Sequence, residues 1–136
     1  MIELNELYDY ADDNDITVMS IDTDGEKCLS MRAESGNCYI GINPFRLNTY
    51  AEEREFLSHE LGHCATGAFY SRYSPLTLRS QSEHRAKLWQ IKKLIPVDEL
   101  NDAFEDGYIE IWQLAEYFEV SEDLMQFAVD YYKQNA

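Results

Sequence analysis

Apolar and polar positions along the chain predict a helix, then three strands, then five more helices. Apolar side chains at three-and-four spacing mark the first amphipathic helix within residues 2–13, at Leu4, Leu7, Tyr8 and Ala11. Three short β-rich runs follow, separated by Thr-Asp-Gly and Ser-Gly-Asn turn formers, at residues 16–21, 27–32 and 37–42. We expect these runs to form a small three-stranded antiparallel sheet.

The next helix is predicted from its end signals. Asn48 or Thr49 can cap its start, because their short polar side chains can accept a hydrogen bond from a free backbone N–H of the first turn. Gly67 can end the helix, because glycine adopts the left-handed conformation that often follows a last helical turn.

The rest of the chain predicts four more helices. Ser80 or Ser82 can cap a helix that runs to about residue 95 and stops before Pro96. Three shorter helical patterns follow, at residues 97–104, 109–118 and, after a Ser121 cap, 124–133. The pattern therefore predicts an α+β fold in one domain over residues 1–136, with a core in residues 1–96 and a helical C-terminal part in residues 97–136.

Net charge narrows the classes of partner. The formal charge of −15 opposes attraction to nucleic acid or to an anionic membrane, so neither is expected as a direct partner. Residues 97–136 carry eleven acidic side chains against the single Lys133. This acidic segment is either a solvated face or a docking surface for a basic protein.

The cysteines and the first residues predict a cytoplasmic protein. The chain starts with an acidic segment rather than a signal peptide, and it has no apolar stretch long enough to span a bilayer. Cys28, Cys38 and Cys64 contain no Cys-x-x-Cys pair and cannot all pair with one another. We expect them to be reduced and mostly buried.

The stretch FLSHELGHCATG contains the clearest candidates for catalytic and metal-binding residues. Residues four apart on a helix lie about 40° apart around its axis, so His59 and His63 can share one metal ion. Glu60 lies about 100° further round, where it can reach a water on the open side of the ion and act as a general base. This arrangement is typical of zinc peptidases, in which zinc activates the water and the glutamate takes its proton.

A catalytic zinc ion needs a third protein ligand, and two neighbours downstream are candidates. Glu83 and His84 both lie on the helix predicted before Pro96. Periodicity slightly favours His84, because it falls on the apolar stripe of that helix.

At these motifs the chain resembles the ImmA/IrrE family of metallopeptidases. His59-Glu60-Leu61-Gly62-His63 is followed by Glu83-x-x-Ala86-x-x-Trp89 and then by Leu94-x-Pro96. The resemblance implies one zinc ion per chain held by His59, His63 and Glu83, with Glu60 as the base. The sequence departs from the family motif at Lys87, where the family usually has asparagine, and at Gln90, where it has alanine.

Three further residues are secondary candidates. His84 is either a buried, hydrogen-bonded histidine or a polar group that steadies the site. Tyr70 and Tyr73 lie between the two metal-bearing helices, where a phenol could donate to the oxyanion of a tetrahedral intermediate, although packing is the commoner role of tyrosine.

The resemblance also implies a substrate. Related proteins are encoded in mobile elements or phage-derived regions, and they cleave a helix-turn-helix transcriptional repressor. The alternative is a zinc-containing binding module that sequesters a repressor without cutting it. The intact base at Glu60 favours catalysis, because a pure binder does not need it.

Overall fold

The computed structural model describes residues 1–22, 27–71 and 73–136, and it has the predicted α+β composition. Its helices are α1 (Leu4–Asp13), α2 (Tyr50–Thr66), α3 (Leu76–Leu94), α4 (Val97–Glu105), α5 (Ile111–Phe118) and α6 (Glu122–Gln134). Its strands are β1 (Thr17–Ser20), β2 (Cys28–Arg32) and β3 (Cys38–Ile42). No helix in the described part of the chain has the length and apolar character needed to cross a bilayer.

The three strands form one sheet in the order β1-β3-β2. β2 and β3 are antiparallel, as predicted, and a tight turn over residues 33–37 joins them. β1 runs parallel to β3, so the sheet is mixed and the prediction of an antiparallel sheet is wrong in this respect. Strand patterns do not reveal which strands are neighbours, and β1 pairs with the strand after next rather than with β2. The predicted Thr-Asp-Gly turn at residues 23–25 lies outside the described residues.

The ends of α2 agree with the signals read from the sequence. The hydroxyl oxygen of Thr49 accepts a hydrogen bond from the Glu52 N–H at 3.1 Å. Gly67 follows the helix with φ of 67°, in the left-handed region that favours glycine.

Helix α3 starts earlier than predicted. It begins at Leu76 rather than after a cap at Ser80 or Ser82. The Pro75 carbonyl accepts the Arg79 N–H at 3.0 Å, which closes the first turn. Pro75 directly precedes the first helical residue, where its missing N–H would have no helical partner.

The chain divides into two compact units, one of residues 2–90 and the other of residues 91–136 together with Met1. In the first unit, α2 packs against β2, β3 and α1. The centre of its core is apolar and fully buried, at Leu7, Ile40, Leu57, Leu61 and Ala86. The half of α2 that carries Leu57 and Leu61 is therefore held rigidly against the sheet.

The second unit is helical and has a core of its own. Helices α5 and α6 pack together, and Ser121 caps α6 by accepting the Leu124 N–H at 3.2 Å. Phe118 and Met125 are fully buried in this unit. The Tyr132 hydroxyl donates to the Ile95 carbonyl at 2.8 Å, which ties α6 to the start of the unit.

Two cysteines form a disulfide, so the prediction of three reduced thiols is wrong. Cys38 at the start of β3 is bonded to Cys64 near the end of α2, and their Cα atoms are 5.9 Å apart. That distance lies within the usual range for a disulfide. The two cysteines are 26 residues apart, and only the packing of α2 on the sheet brings them together. Cys28 is free and buried, as expected.

Candidate metal and catalytic site

Helix α2 presents two imidazoles side by side. His59 and His63 are four residues apart, and their ring centroids are 4.9 Å apart with the planes nearly perpendicular at 88°. His63 is buried and His59 is half-buried. Both rings therefore lie at one edge of the helix, within reach of a single metal ion.

A hydrogen bond fixes the orientation of His63. Its Nδ1 lies 2.5 Å from the Ala68 carbonyl oxygen. A carbonyl only accepts, so Nδ1 carries a proton and donates it, which leaves Nε2 as the ring nitrogen that faces Glu83 and can bind a metal. The left-handed turn at Gly67 brings the Ala68 carbonyl back towards the helix end, where it can accept this bond.

Helix α3 brings a carboxylate to both imidazoles. Glu83 Oε2 is 2.8 Å from His59 Nε2, and Glu83 Oε1 is 3.3 Å from His63 Nε2. One donor atom from each of the three residues lies within 4.8 Å of the others. Two imidazole nitrogens and one carboxylate oxygen are a common ligand set of catalytic zinc, so these residues fit the metal that the motif implies.

His84 does not join this cluster. Its side chain is exposed, and the prediction that it is a buried histidine on the apolar stripe is wrong. Among the described residues, the group of donors that could hold a metal consists of His59, His63 and Glu83. The α3 residue that faces α2 at this level is therefore Glu83, at the edge of the stripe.

Tyr70 also contacts Glu83. Its hydroxyl donates to Glu83 Oε1 at 2.8 Å, and its ring centroid is 6.3 Å from that of His63. Partial burial opposes ionisation of Glu83, but the Tyr70 hydrogen bond and the two histidines outweigh it, so the pKa of this carboxyl is lowered from its ordinary value. Glu83 is thus held in the charged form that a metal site requires.

His63, Tyr70 and Glu83 line a cavity of about 350 Å³. Its wall includes Glu60, which is not one of the three clustered donors, as expected of a base that is not itself a ligand. The other lining residues are Cys28, Leu29, Ser30, His63, Phe69, Tyr70 and Glu83. Tyr73 does not line it and is 80% exposed, so the structure brings only one of the two candidate tyrosines to the site.

Part of the cavity wall is formed by residues that no sequence motif identifies as part of the site. Cys28, Leu29 and Ser30 belong to β2, and Phe69 follows the turn at Gly67. None of them belongs to a motif, and the strand reaches the site only because α2 packs on β2. The contribution of β2 to the cavity could have been predicted only if its position as an edge strand beside α2 had been known.

Comparison with known protein families identifies the family of this chain. The family model described as the IrrE N-terminal-like domain, a family of peptidases, matches residues 11–130. This range includes every residue of the site, and the match confirms the resemblance seen in the motifs. No curated protein and no solved structure matches the chain.

Proposed function

Because the chain belongs to the IrrE N-terminal-like family of peptidases, we propose that it is a zinc-dependent metalloendopeptidase. One observation carries the proposal. The donor atoms of His59, His63 and Glu83 lie within 4.8 Å of one another, and Glu60 lines the cavity that His63 and Glu83 also line, without belonging to the donor group. Three ligands and a separate base are what metal-assisted hydrolysis of a peptide requires.

Each residue has a proposed role. His59, His63 and Glu83 hold the zinc ion, which when bound polarises the scissile carbonyl and lowers the pKa of a water. Glu60 accepts the proton of the attacking water and returns it to the leaving amine. Tyr70 lines the cavity, and we propose that its hydroxyl, which donates to Glu83 Oε1 in this structure, turns to donate to the oxygen that becomes negative in the transition state.

The edge of β2 offers a place for the substrate backbone. β2 is an edge strand, and its first three residues line the cavity. The odd-numbered residues of β2 are the ones whose backbone groups bond to β3. This follows from two hydrogen bonds that flank the strand, from Asn43 N to the Lys27 carbonyl and from Ala33 N to the Asn37 carbonyl. The backbone groups of Cys28 and Ser30 therefore point to the open edge, where an extended peptide can pair with them.

The proposed substrate is a helix-turn-helix repressor of a mobile element or prophage, cleaved so that its target genes are expressed. A DNA-binding protein carries positive charge, and the acidic segment at residues 97–136 would attract it. We place the reaction in the cytoplasm, where such repressors bind their operators.

Incubation of the protein with the repressor encoded beside it, with and without a chelator, tests the proposal. We expect discrete fragments that a chelator prevents and added zinc restores. The competing function is sequestration by a binding module that keeps the zinc but does not cut. Relief of repression with an intact repressor would favour that alternative.

A further inference from the structure

The ligands of the proposed metal site are divided between two helices. His59 and His63 belong to α2, and Glu83 belongs to α3. The position of the Glu83 carboxylate therefore depends on how α3 is placed along and around α2. Residues that fix this placement control the metal site without touching it.

Gln90 contacts α2 two turns after Glu83. Its side chain is only 2% exposed. Its amide nitrogen donates to the Glu55 carbonyl at 2.7 Å and to the Ser58 hydroxyl oxygen at 3.0 Å. Ser58 is fully buried, and its hydroxyl donates to the same Glu55 carbonyl at 2.8 Å. Both amide protons of Gln90 are thus used on the backbone and side chain of α2.

The contacts of Gln90 and the metal cluster lie on the same interface between α2 and α3. Glu83, Ala86 and Gln90 follow the three-and-four spacing of a single helix face. Along α2, Ser58 meets Gln90 and Gly62 meets Ala86, one turn apart. A displacement of α3 along its axis by one residue, about 1.5 Å, would break both Gln90 bonds. The buried amide would then lose its partners, which is costly in a dry interface.

We propose that Gln90 is a positioning residue for the metal site, because it fixes the register of α3 on α2 and so places Glu83 against the two histidines. It does not contact the donor atoms itself. The inference rests on the metal site of the proposed function but not on peptide cleavage.

The test compares metal binding by Gln90→Met with that of the wild type. Methionine keeps the length and burial of the side chain but has no amide to donate. We expect the zinc dissociation constant to rise by about 10-fold to 100-fold, the range typical when a group that supports a metal ligand is lost. The cobalt-substituted protein should also show a changed visible absorption spectrum, which reports the geometry of the ligands.

Two further variants separate positioning from general stability. Ile40→Val removes one methyl group from the core of the same unit and should leave zinc affinity and the cobalt spectrum unchanged. Ser58→Ala removes one of the two acceptors of Gln90 and should weaken zinc binding by roughly 2-fold to 10-fold, even if Gln90→Met does not fold. The double variant Ser58→Ala/Gln90→Met should bind zinc no more weakly than Gln90→Met alone.

The outcomes distinguish this inference from the proposed function. Wild-type zinc affinity and an unchanged cobalt spectrum in both Gln90→Met and Ser58→Ala would overturn the positioning role alone. A wild-type protein that binds no zinc would overturn both proposals. A protein that binds zinc through Gln90-dependent geometry but cuts no repressor would overturn only the peptidase assignment.

Discussion

Gly62 of α2 and Ala86 of α3 approach so closely that a Cβ at position 62 would lie 2.5 Å from the Ala86 carbonyl oxygen. The nearest atoms are all backbone atoms of Ala86, which cannot move away as a flexible side chain could. Gly62 also separates Leu61 of the core from His63 of the site. The absence of a side chain at this position thus lets the two helices that carry the candidate ligands pack against each other.

Gly62→Ala should therefore destabilise the protein and weaken metal binding. Alanine favours a helix over glycine by about 1 kcal/mol, so without the contact this substitution would stabilise α2. The clash reverses the sign, because forcing α3 away from α2 typically costs about 1–3 kcal/mol. Thermal unfolding and zinc titration measure the two effects. A variant that melts higher than the wild type and binds zinc equally well would show that the close approach is not needed.

Metal analysis of two histidine variants tests the ligand set. The purified protein should contain one zinc ion, and His63→Ala should lose it, because two ligands rarely hold a catalytic metal. His84→Ala is the matched control and should keep the metal, because His84 is exposed and lies outside the donor cluster. If His63→Ala keeps stoichiometric zinc, or if only His84→Ala loses it, the proposed ligand set of His59, His63 and Glu83 is wrong.

The proposed pairing of the substrate backbone with the open edge of β2 can be tested by removing one backbone N–H from that edge. Ser30→Pro removes a donor that faces the open edge while the bonds of β2 to β3 remain, so the strand should still form. Because a substrate that pairs with this edge would lose a hydrogen bond, KM should rise by about 10-fold with metal content unchanged. Ser30→Ala keeps the N–H and should have the KM of the wild type. Equal KM values for the two variants would place the substrate elsewhere.

The stability of the protein at alkaline pH should depend on the half-buried Tyr132 hydroxyl of the second unit. Burial, with a smaller effect of Tyr131, raises the pKa of Tyr132 from 10.0 to about 12. The unfolded chain therefore loses this proton first, so the free energy of unfolding should decrease as pH rises from 10 to 12. Urea unfolding across this range should show a shallower decrease for Tyr132→Phe. An identical decrease in both proteins would mean that the folded state does not retain this proton.

Local signals in the sequence predicted the elements of the fold better than their arrangement. The cap at Thr49 and the left-handed Gly67 both act within a few residues, so the limits of α2 could be predicted. The parallel pairing of β1 with β3 depends on contacts between distant segments, and no local pattern records it. The disulfide between Cys38 and Cys64 was missed for the same reason.

The same difference between local signals and contacts of distant segments applies to the candidate site. The spacing of His59, Glu60 and His63 within one helix placed them together without any knowledge of the fold. The choice between Glu83 and His84 depends on how α3 is rotated against α2. Periodicity alone favoured His84, whereas the structure brings the carboxylate of Glu83 to the two histidines. The contribution of β2 to the cavity could not be predicted, since it depends on which strand packs beside α2.

Quantitative cleavage by Glu60→Gln is the most direct test of the proposed peptidase function. Glutamine keeps the shape of the side chain but cannot accept a proton, and Glu60 is not among the donors of the metal cluster. The variant should therefore keep its zinc, its fold and its affinity for the repressor. Its cleavage rate should fall by about 10²-fold to 10⁴-fold, the usual effect of losing a general base.

Fragment formation and relief of repression in cells should be followed with the same two proteins. If the protein is a peptidase that cleaves the repressor, the wild type produces fragments and relieves repression. Zinc-loaded Glu60→Gln then binds the repressor but does neither. If Glu60→Gln relieves repression as fully as the wild type while the repressor stays intact, the protein acts by sequestration and is not a peptidase in this role.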